Sequence, residues 1–264
     1  MGLEAVSGGV ELASAAPIRA LRPGWAFSLY PQAGEGGGCL VSPFRRERSY
    51  VARGAARDPL RAAEEAGRRA RGKLRRFCAT NRLNRLGTLT YAGEGCHDPL
   101  QVRADVGAFF RALRFGLGGE ALAYVWVPEW HKTGHGLHVH FAVGRYVPQS
   151  KIRDAWGRGF VSIKLLGDLP VGSSTIDEAR VAARYLGKYV SKSFTVNDPR
   201  LRPRGLHRFE VAQGFKPTMW HLEGTSAWDV LVQASGIMGR FPRHSWNSDE
   251  VQGWQGAPAV WHQW

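Results

Sequence analysis

Residues 121–143 restrict this chain more than any other stretch. Ala121-Leu-Ala-Tyr-Val-Trp-Val-Pro-Glu129 is rich in Val, Tyr and Trp and reads as a strand. Gly136-Leu-His-Val-His-Phe-Ala-Val143 alternates and reads as a second strand. The segment from Trp130 to Gly136 holds two glycines and reads as a hairpin loop. Closed symmetrically about Thr133 and Gly134, the hairpin sets Glu129 opposite His138 and Val127 opposite His140. A strand alternates its faces, so the two histidines point one way and Leu137, Val139 and Phe141 the other. Two imidazoles ~7 Å apart on one face can share a divalent metal, and an opposed carboxylate has its Cβ only ~5 Å away. Two neutral imidazoles with one carboxylate suit Mn or Zn, and hold Mg when a phosphate and waters complete the shell. The other reading is a solvated strand face, with Glu129 an ordinary strand end. His131 and His135 of the loop are alternative ligands whose direction the loop does not fix.

A second pattern lies downstream, in Ser174-Thr-Ile-Asp-Glu-Ala-Arg-Val-Ala-Ala-Arg-Tyr-Leu-Gly-Lys-Tyr-Val-Ser-Lys192. Thr175 and Glu178 have the spacing of a capping box, which predicts a helix start. Tyr185 and Tyr189 are four apart and share one helical face. Lys188 and Lys192 each follow a tyrosine by three, which places them beside that face. Tyrosines at helical spacing also serve as core or interface residues. Phenols flanked by lysines have a further use, because cations favour phenolate and bind phosphate. A tyrosine attacking a metal-bound phosphodiester would leave a covalent phosphotyrosine.

Glu129, His138-Val-His140 and Tyr185-Leu-Gly-Lys-Tyr-Val-Ser-Lys192 resemble the motifs of HUH endonucleases, specifically the rolling-circle replication initiators of plasmids and single-stranded DNA phages. Asn84-Arg-Leu-Gly-Thr-Leu-Thr-Tyr91 resembles that family's first motif, a strand near the sheet centre. The histidines precede the tyrosines, as in replication initiators and unlike most conjugative relaxases. The tyrosine pair resembles the two-tyrosine initiators, in which both act in turn. The resemblance covers about residues 81–215. It implies an HUH endonuclease domain of ferredoxin/RRM-like type. It also implies a metal at Glu129, His138 and His140 and a nucleophile at Tyr189 or Tyr185, with Lys188 and Lys192 placing phosphate. The spacing from Glu129 to His138 is not fixed across the family.

Charge agrees with a polyanionic partner. The chain of 264 residues carries a net charge of +14. Arg45 to Arg85 holds fourteen Arg/Lys against four Asp/Glu. Within it, Asp58-Pro59 followed by Leu60, Ala63, Ala66, Ala70, Leu74 and Phe77 predicts a helix with proline in its first turn. Arg68, Arg69, Arg71, Lys73, Arg75 and Arg76 load that helix. A solvated helix is the bland account. A dense one-sign run repels itself unless phosphates are at hand, so these six are the expected DNA-binding residues.

Three cysteines, Cys39, Cys78 and Cys96, without C-x-x-C exclude a disulfide framework or zinc knuckle and suit a reducing cytosol. No apolar run approaches the ~20 residues of a membrane span, and no export signal is visible, so a cytoplasmic location is expected. No G-x-x-x-x-G-K-[ST] occurs, so the chain has no P-loop with which to drive unwinding and needs a host helicase.

Three parts follow. Residues 1–56, rich in Gly, Ala and Pro with a break at Gly34-Glu-Gly-Gly-Gly38, form a partly flexible arm. Residues 57–215 form the nicking unit: the basic helix, the strand Leu86–Tyr91, and a helix whose apolar face is Val102, Val106, Phe109, Phe110, Leu113 and Leu117. The hairpin, a short helix near Gln149–Trp156, the strand Phe160–Leu166, the tyrosine helix and a strand near His207–Val211 complete it. Residues 216–264 hold six of the ten tryptophans. Beside Arg240, Arg243 and His244 these rings either stack on bases or pack on the core or an oligomer interface. The fold class is α+β, with a central antiparallel sheet flanked by helices.

The resulting expectation is a rolling-circle initiator that nicks and rejoins single-stranded or hairpin origin DNA. It uses Mg or Mn, ahead of Zn, and borrows a host helicase and polymerase. A single-strand transposase of like chemistry, a non-catalytic basic nucleic-acid-binding module and a hydrolase of small phosphates are the alternatives.

Overall fold

The computed structural model describes residues 24–42, 51–52, 55–165, 173–195 and 207–264, with side chains of the last described helix before residue 200 followed as far as Val190. In chain order these form β1 (Gly24–Tyr30), β2 (Glu35–Val41), α1 (Pro59–Thr80), β3 (Arg85–Tyr91), α2 (Pro99–Gly116), β4 (Tyr124–Trp130) and β5 (Leu137–Val143). They continue with α3 (Gln149–Trp156), β6 (Gly159–Leu165), α4 (Thr175–Thr195), β7 (Glu210–Val211), β8 (Trp220–Gly224), α5 (Ala227–Met238), β9 (His244–Asn247) and β10 (Ala259–Gln263). The protein is α+β, with two antiparallel five-stranded sheets.

The sheet in the order β6-β3-β5-β4-β7 is the expected central one. Alternation along its strands splits the core in two. Leu89, Trp126, Val139 and Phe141 face α2 and α3, where Val102, Val106, Phe109, Phe110 and Leu113 are buried as the periodicity predicts. Leu86, Val125, Val127 and Ala142 face α1 and α4, against Leu74, Phe77, Ala182, Leu186 and Val190. The histidine face of β5 is therefore the face that α4 covers.

Local sequence explains the helix starts. Asp58 caps α1, its side chain accepting from the Arg61 N–H at 3.0 Å, with Pro59 in the first turn. Asp98 and Pro99 do the same for α2, with the Leu100 N–H at 2.8 Å. Helix α4 begins at Thr175 as expected, but its capping box lies one residue earlier. Ser174 and Asp177 exchange the bonds: the Ser174 N–H donates to Asp177 at 3.2 Å and the Asp177 N–H to the Ser174 hydroxyl at 3.4 Å. Glu178 is thereby released and instead accepts from Asn84 Nδ2 at 2.6 Å, which ties α4 to the start of β3.

The second sheet, in the order β8-β1-β2-β10-β9, joins both ends of the chain. The segments read from sequence as an N-terminal arm and a C-terminal extension thus supply neighbouring strands. Residues 1–23 of that arm lie outside the described residues. The glycine run expected as a break is β2 itself. A Cβ at Gly36 would lie 2.4 Å from the Phe27 ring, and one at Gly38 would lie 2.3 Å from the Ala26 carbonyl oxygen. The missing side chains let Phe27 and the β1 backbone close over β2. Phe27, Leu29, Val260 and Trp264 then bury against Val230 and Ala234 of α5.

Two polar anchors join the sheets' surroundings. The Arg180 guanidinium of α4, almost fully buried, donates to the carbonyls of Ala33, Gly34 and Trp264 at 3.0, 3.0 and 3.2 Å. Glu35, 1% exposed, accepts from Arg75 at 2.6 and 3.1 Å and from Arg76 at 3.5 Å. Among the described residues no helix is long and apolar enough to cross a membrane.

Candidate active site

The hairpin register is the one the sequence implies: Glu129 pairs with His138 and Val127 with His140. The loop closes with the His131 N–H on the Gly136 carbonyl at 2.8 Å. Gly134 and Gly136 have φ of 83° and 75°, a conformation that favours glycine. Glu129 Oε2 lies 3.0 Å from His138 Nε2 and 2.9 Å from His140 Nε2. One ligand atom from each residue falls within 4.8 Å of the others. The two imidazoles turn the same nitrogen toward one carboxylate oxygen. On the far side of its ring, His140 Nδ1 lies 3.2 Å from the Thr88 hydroxyl. This is the arrangement a metal-binding histidine needs, one nitrogen inward and the other held by a neighbour. The donor set N, N, O fits a divalent ion.

Thr88 is a residue that sequence reasoning missed. It sits in β3 opposite His140, inside the stretch compared above with the family's first motif. Its signal was the alternation of Thr88 and Thr90 with Leu89, which places the hydroxyls on the histidine face.

The tyrosines complete the cluster. The Tyr189 ring stacks on His140 with centroids 4.1 Å apart and planes at 12°, and Tyr185 meets His140 at 6.0 Å and 85°. The Tyr189 hydroxyl donates to the Tyr185 hydroxyl at 2.8 Å. Burial, then the bond to Tyr185 and the Glu129 charge, raise the Tyr189 phenol well above its usual range. Other tyrosines have different settings. Tyr91 is buried and donates to Asp105 at 2.9 Å, and burial pushes its phenol up. Tyr124 stacks on Phe110 at 3.5 Å.

His131 approaches the cluster, its ring 5.2 Å from that of His138, but its Nδ1 is engaged with the Thr133 hydroxyl at 2.6 Å. The His135 ring turns away to the Tyr91 carbonyl at 2.9 Å. Lys188 is exposed and lines a cleft with Arg71, Arg75 and Arg184. Three residues turn a helix by 300°, so Lys188 and Tyr185 diverge by 60° around α4. The Lys192 side chain lies outside the described residues.

The six basic residues of α1 divide. Arg68, Arg69, Arg71 and Lys73 are exposed. Arg69 approaches Glu65 at 3.6 Å in a surface pair of little energetic weight. Arg75 and Arg76 are turned to Glu35, with their guanidinium groups 5.0 Å from the Trp261 ring centroid and 4.6 Å from that of Tyr30. These two hold the second sheet to α1, a use that no local pattern in α1 signals. The C-terminal tryptophans also divide. Trp264 is core and donates to the Arg240 carbonyl at 2.7 Å, whereas Trp228 stacks on Phe241 in the open.

An antiparallel sheet carrying a Glu-His-His cluster under a tyrosine-bearing helix is the arrangement the two motifs together implied. Residues 84–194, less than half of the chain, match the model of the family described as replication-associated protein ORF2/G2P. That segment runs from β3 to the end of α4 and contains every member of the cluster, and the match supports a replication-associated protein, a replication initiator. No curated protein and no solved structure matches the chain.

Proposed function

We propose that this protein is an HUH-type endonuclease that initiates rolling-circle replication by nicking and rejoining single-stranded or hairpin origin DNA. The observation that carries the reading is the stack of Tyr189 on His140, which sets a phenol at the Glu129-His138-His140 cluster with a second phenol 2.8 Å from the first. Glu129, His138 and His140 would hold Mg or Mn. The ion supplies polarisation of the scissile phosphate and screening of the charge that builds up on it.

The chain's own residues do the rest. Tyr189 Oη attacks phosphorus, forming the Tyr–O–P bond. The bond to the 3′ oxygen breaks, and that oxygen leaves as a hydroxyl after taking a proton. The phenol proton is relayed through the Tyr185 hydroxyl, which passes its own proton to solvent, and the 3′ oxygen takes an equivalent proton from solvent, so none is gained or lost overall. The 5′ phosphate stays on Tyr189 as an ester, and the free 3′ hydroxyl primes a host polymerase. Tyr185 serves the second cleavage, by which the strand is released and rejoined. Thr88 keeps His140 Nε2 turned inward. The exposed Arg68, Arg69, Arg71 and Lys73 bind phosphates flanking the site, and they position without reading sequence. A phenol raised by burial and by its neighbours is a poor nucleophile, and a cation held at Glu129, His138 and His140 would favour its ionised form. The work falls in the host cytoplasm, where a helicase is also at hand.

The test is metal-dependent nicking of labelled single-stranded DNA. His138→Ala or His140→Ala should abolish it while DNA binding stays. Nicking that persists in both variants would refute the assignment.

A further inference from the structure

Helix α4 has two working faces. Tyr185 and Tyr189 look toward His140. On the neighbouring stripe, about 100° around the helix, Arg180, Arg184 and Lys188 recur at steps of four. With Arg71 and Arg75 of α1 and Trp261 of β10 they line a cleft of about 640 Å³ between the helix pair and the second sheet.

The charge of this cleft is unbalanced. The Arg180 guanidinium is spent on Asp177 at 3.2 Å and on three backbone carbonyls. Arg75 is spent on Glu35 at 2.6 Å and stacks on Trp261. Arg184 and Lys188 are exposed and have no acidic partner among the described residues. They stand one turn apart, about 6 Å along the axis. The Arg71 stem passes α4 at Gly187, its Cγ and Cδ 3.8 Å from where a Cβ there would sit. A single small anion is gripped by cations that converge on one point. Here the cations run in a row along a helix, with an indole in the wall, which suits successive phosphates and a stacked base.

We propose that this cleft, between α4, α1 and the second sheet, holds the phosphate backbone of a single nucleic-acid strand. The helix that carries the phenols would then be gripped along a neighbouring stripe by DNA flanking the bond at the cluster. That the strand is flanking DNA rests on the nicking reading, whereas the phosphate site does not.

The test is equilibrium binding of the full chain to fluorescein-labelled oligodeoxythymidylate in EDTA, where no metal is present. Affinity should rise with oligonucleotide length, and its logarithm should fall linearly with the logarithm of salt concentration. Arg184→Ala/Lys188→Ala should weaken binding and reduce that slope by about 1.4, since each single-strand phosphate contact contributes roughly 0.7. Both residues are exposed, and a circular dichroism melt equal to the parent's keeps the reading clean; should the pair melt early, Arg184→Gln is measured alone with an expected change of about 0.7. An unchanged affinity and slope would overturn the proposal and leave the nicking reading intact. Inorganic pyrophosphate competing as well as the oligonucleotide at equal phosphate concentration would overturn it too, by making the cleft a small-anion site. Failure of the nicking reading would show separately, as the absence of a covalent band when metal is added.

Discussion

Thr88→Val removes one hydroxyl from β3 and keeps the shape of the side chain. In the structure that hydroxyl meets His140 Nδ1 at 3.2 Å. A neutral hydrogen bond contributes about 0.5–1.5 kcal/mol net. Groups that orient a metal-binding histidine typically matter more, about 10- to 100-fold in metal affinity, which is about 1.4–2.7 kcal/mol. His140 has a second restraint, the Tyr189 ring stacked at 4.1 Å, so loss of the hydroxyl leaves the imidazole partly held. The lower end of the range follows: Thr88→Val should weaken Mn binding about 10-fold. Titration calorimetry, or the free-Mn signal in electron paramagnetic resonance, measures this directly and needs no DNA. Thr88→Ser restores the hydroxyl and should restore most of the affinity. A Thr88→Val protein that binds Mn as the parent does would refute the reasoning. So would a Thr88→Ser protein as weak as Thr88→Val, since loss of a methyl would then explain the defect.

Glu35→Gln leaves two guanidinium groups facing a neutral amide; their side chains are 35% and 28% exposed, so we expect about 2 kcal/mol of destabilisation in urea unfolding rather than the ~3–5 of a fully buried pair. Gly87→Ala would set a methyl 2.2 Å from the Phe141 ring in the middle of the central sheet, and overpacking of this kind should cost about 1–3 kcal/mol by the same assay. Tyr189→Phe should remove most covalent adduct while Tyr185→Phe mainly impairs the second strand transfer, read as adduct and rejoined product on a gel; equal loss in both would make the two phenols interchangeable.

The sequence was informative where the pattern was local. Period-two alternation and a loop with two glycines were enough for the Glu129–His138 register, because one slipped residue would have turned Leu137, Val139 and Phe141 to the wrong face. The faces of α2 and α4 were legible for the same reason. The second sheet was not. Its strands β1 and β2 pair with β8 and β10 some two hundred residues later, and no local pattern encodes so distant a pairing. Gly36 to Gly38 added to the difficulty, since a glycine run reads as a break unless the close approach of Phe27 is known. The fates of Arg75 and Arg76 depended on Glu35 from that unseen sheet. That Lys188 lines a cleft with Arg71 and Arg75 of α1 was not legible either, since spacing within α4 does not say which helix packs beside it. In the candidate site, the grouping of Glu129, His138 and His140 and the pairing of the phenols were legible, whereas alternation in β3 gave only the face of Thr88 and not its partner His140.

The central claim is that a phenol of α4 attacks DNA held at the Glu129-His138-His140 cluster. The most direct measurement is covalent capture. The full chain is incubated with Mn and a randomised single-stranded library, adducts are recovered under denaturing conditions, and the modified peptide is identified by mass spectrometry. The account predicts a nucleotide-bearing peptide modified at Tyr189 or Tyr185, absent in EDTA and absent from the Tyr185→Phe/Tyr189→Phe protein. An adduct on Tyr91, Tyr124 or Tyr146, or one that survives in the double variant, would contradict it.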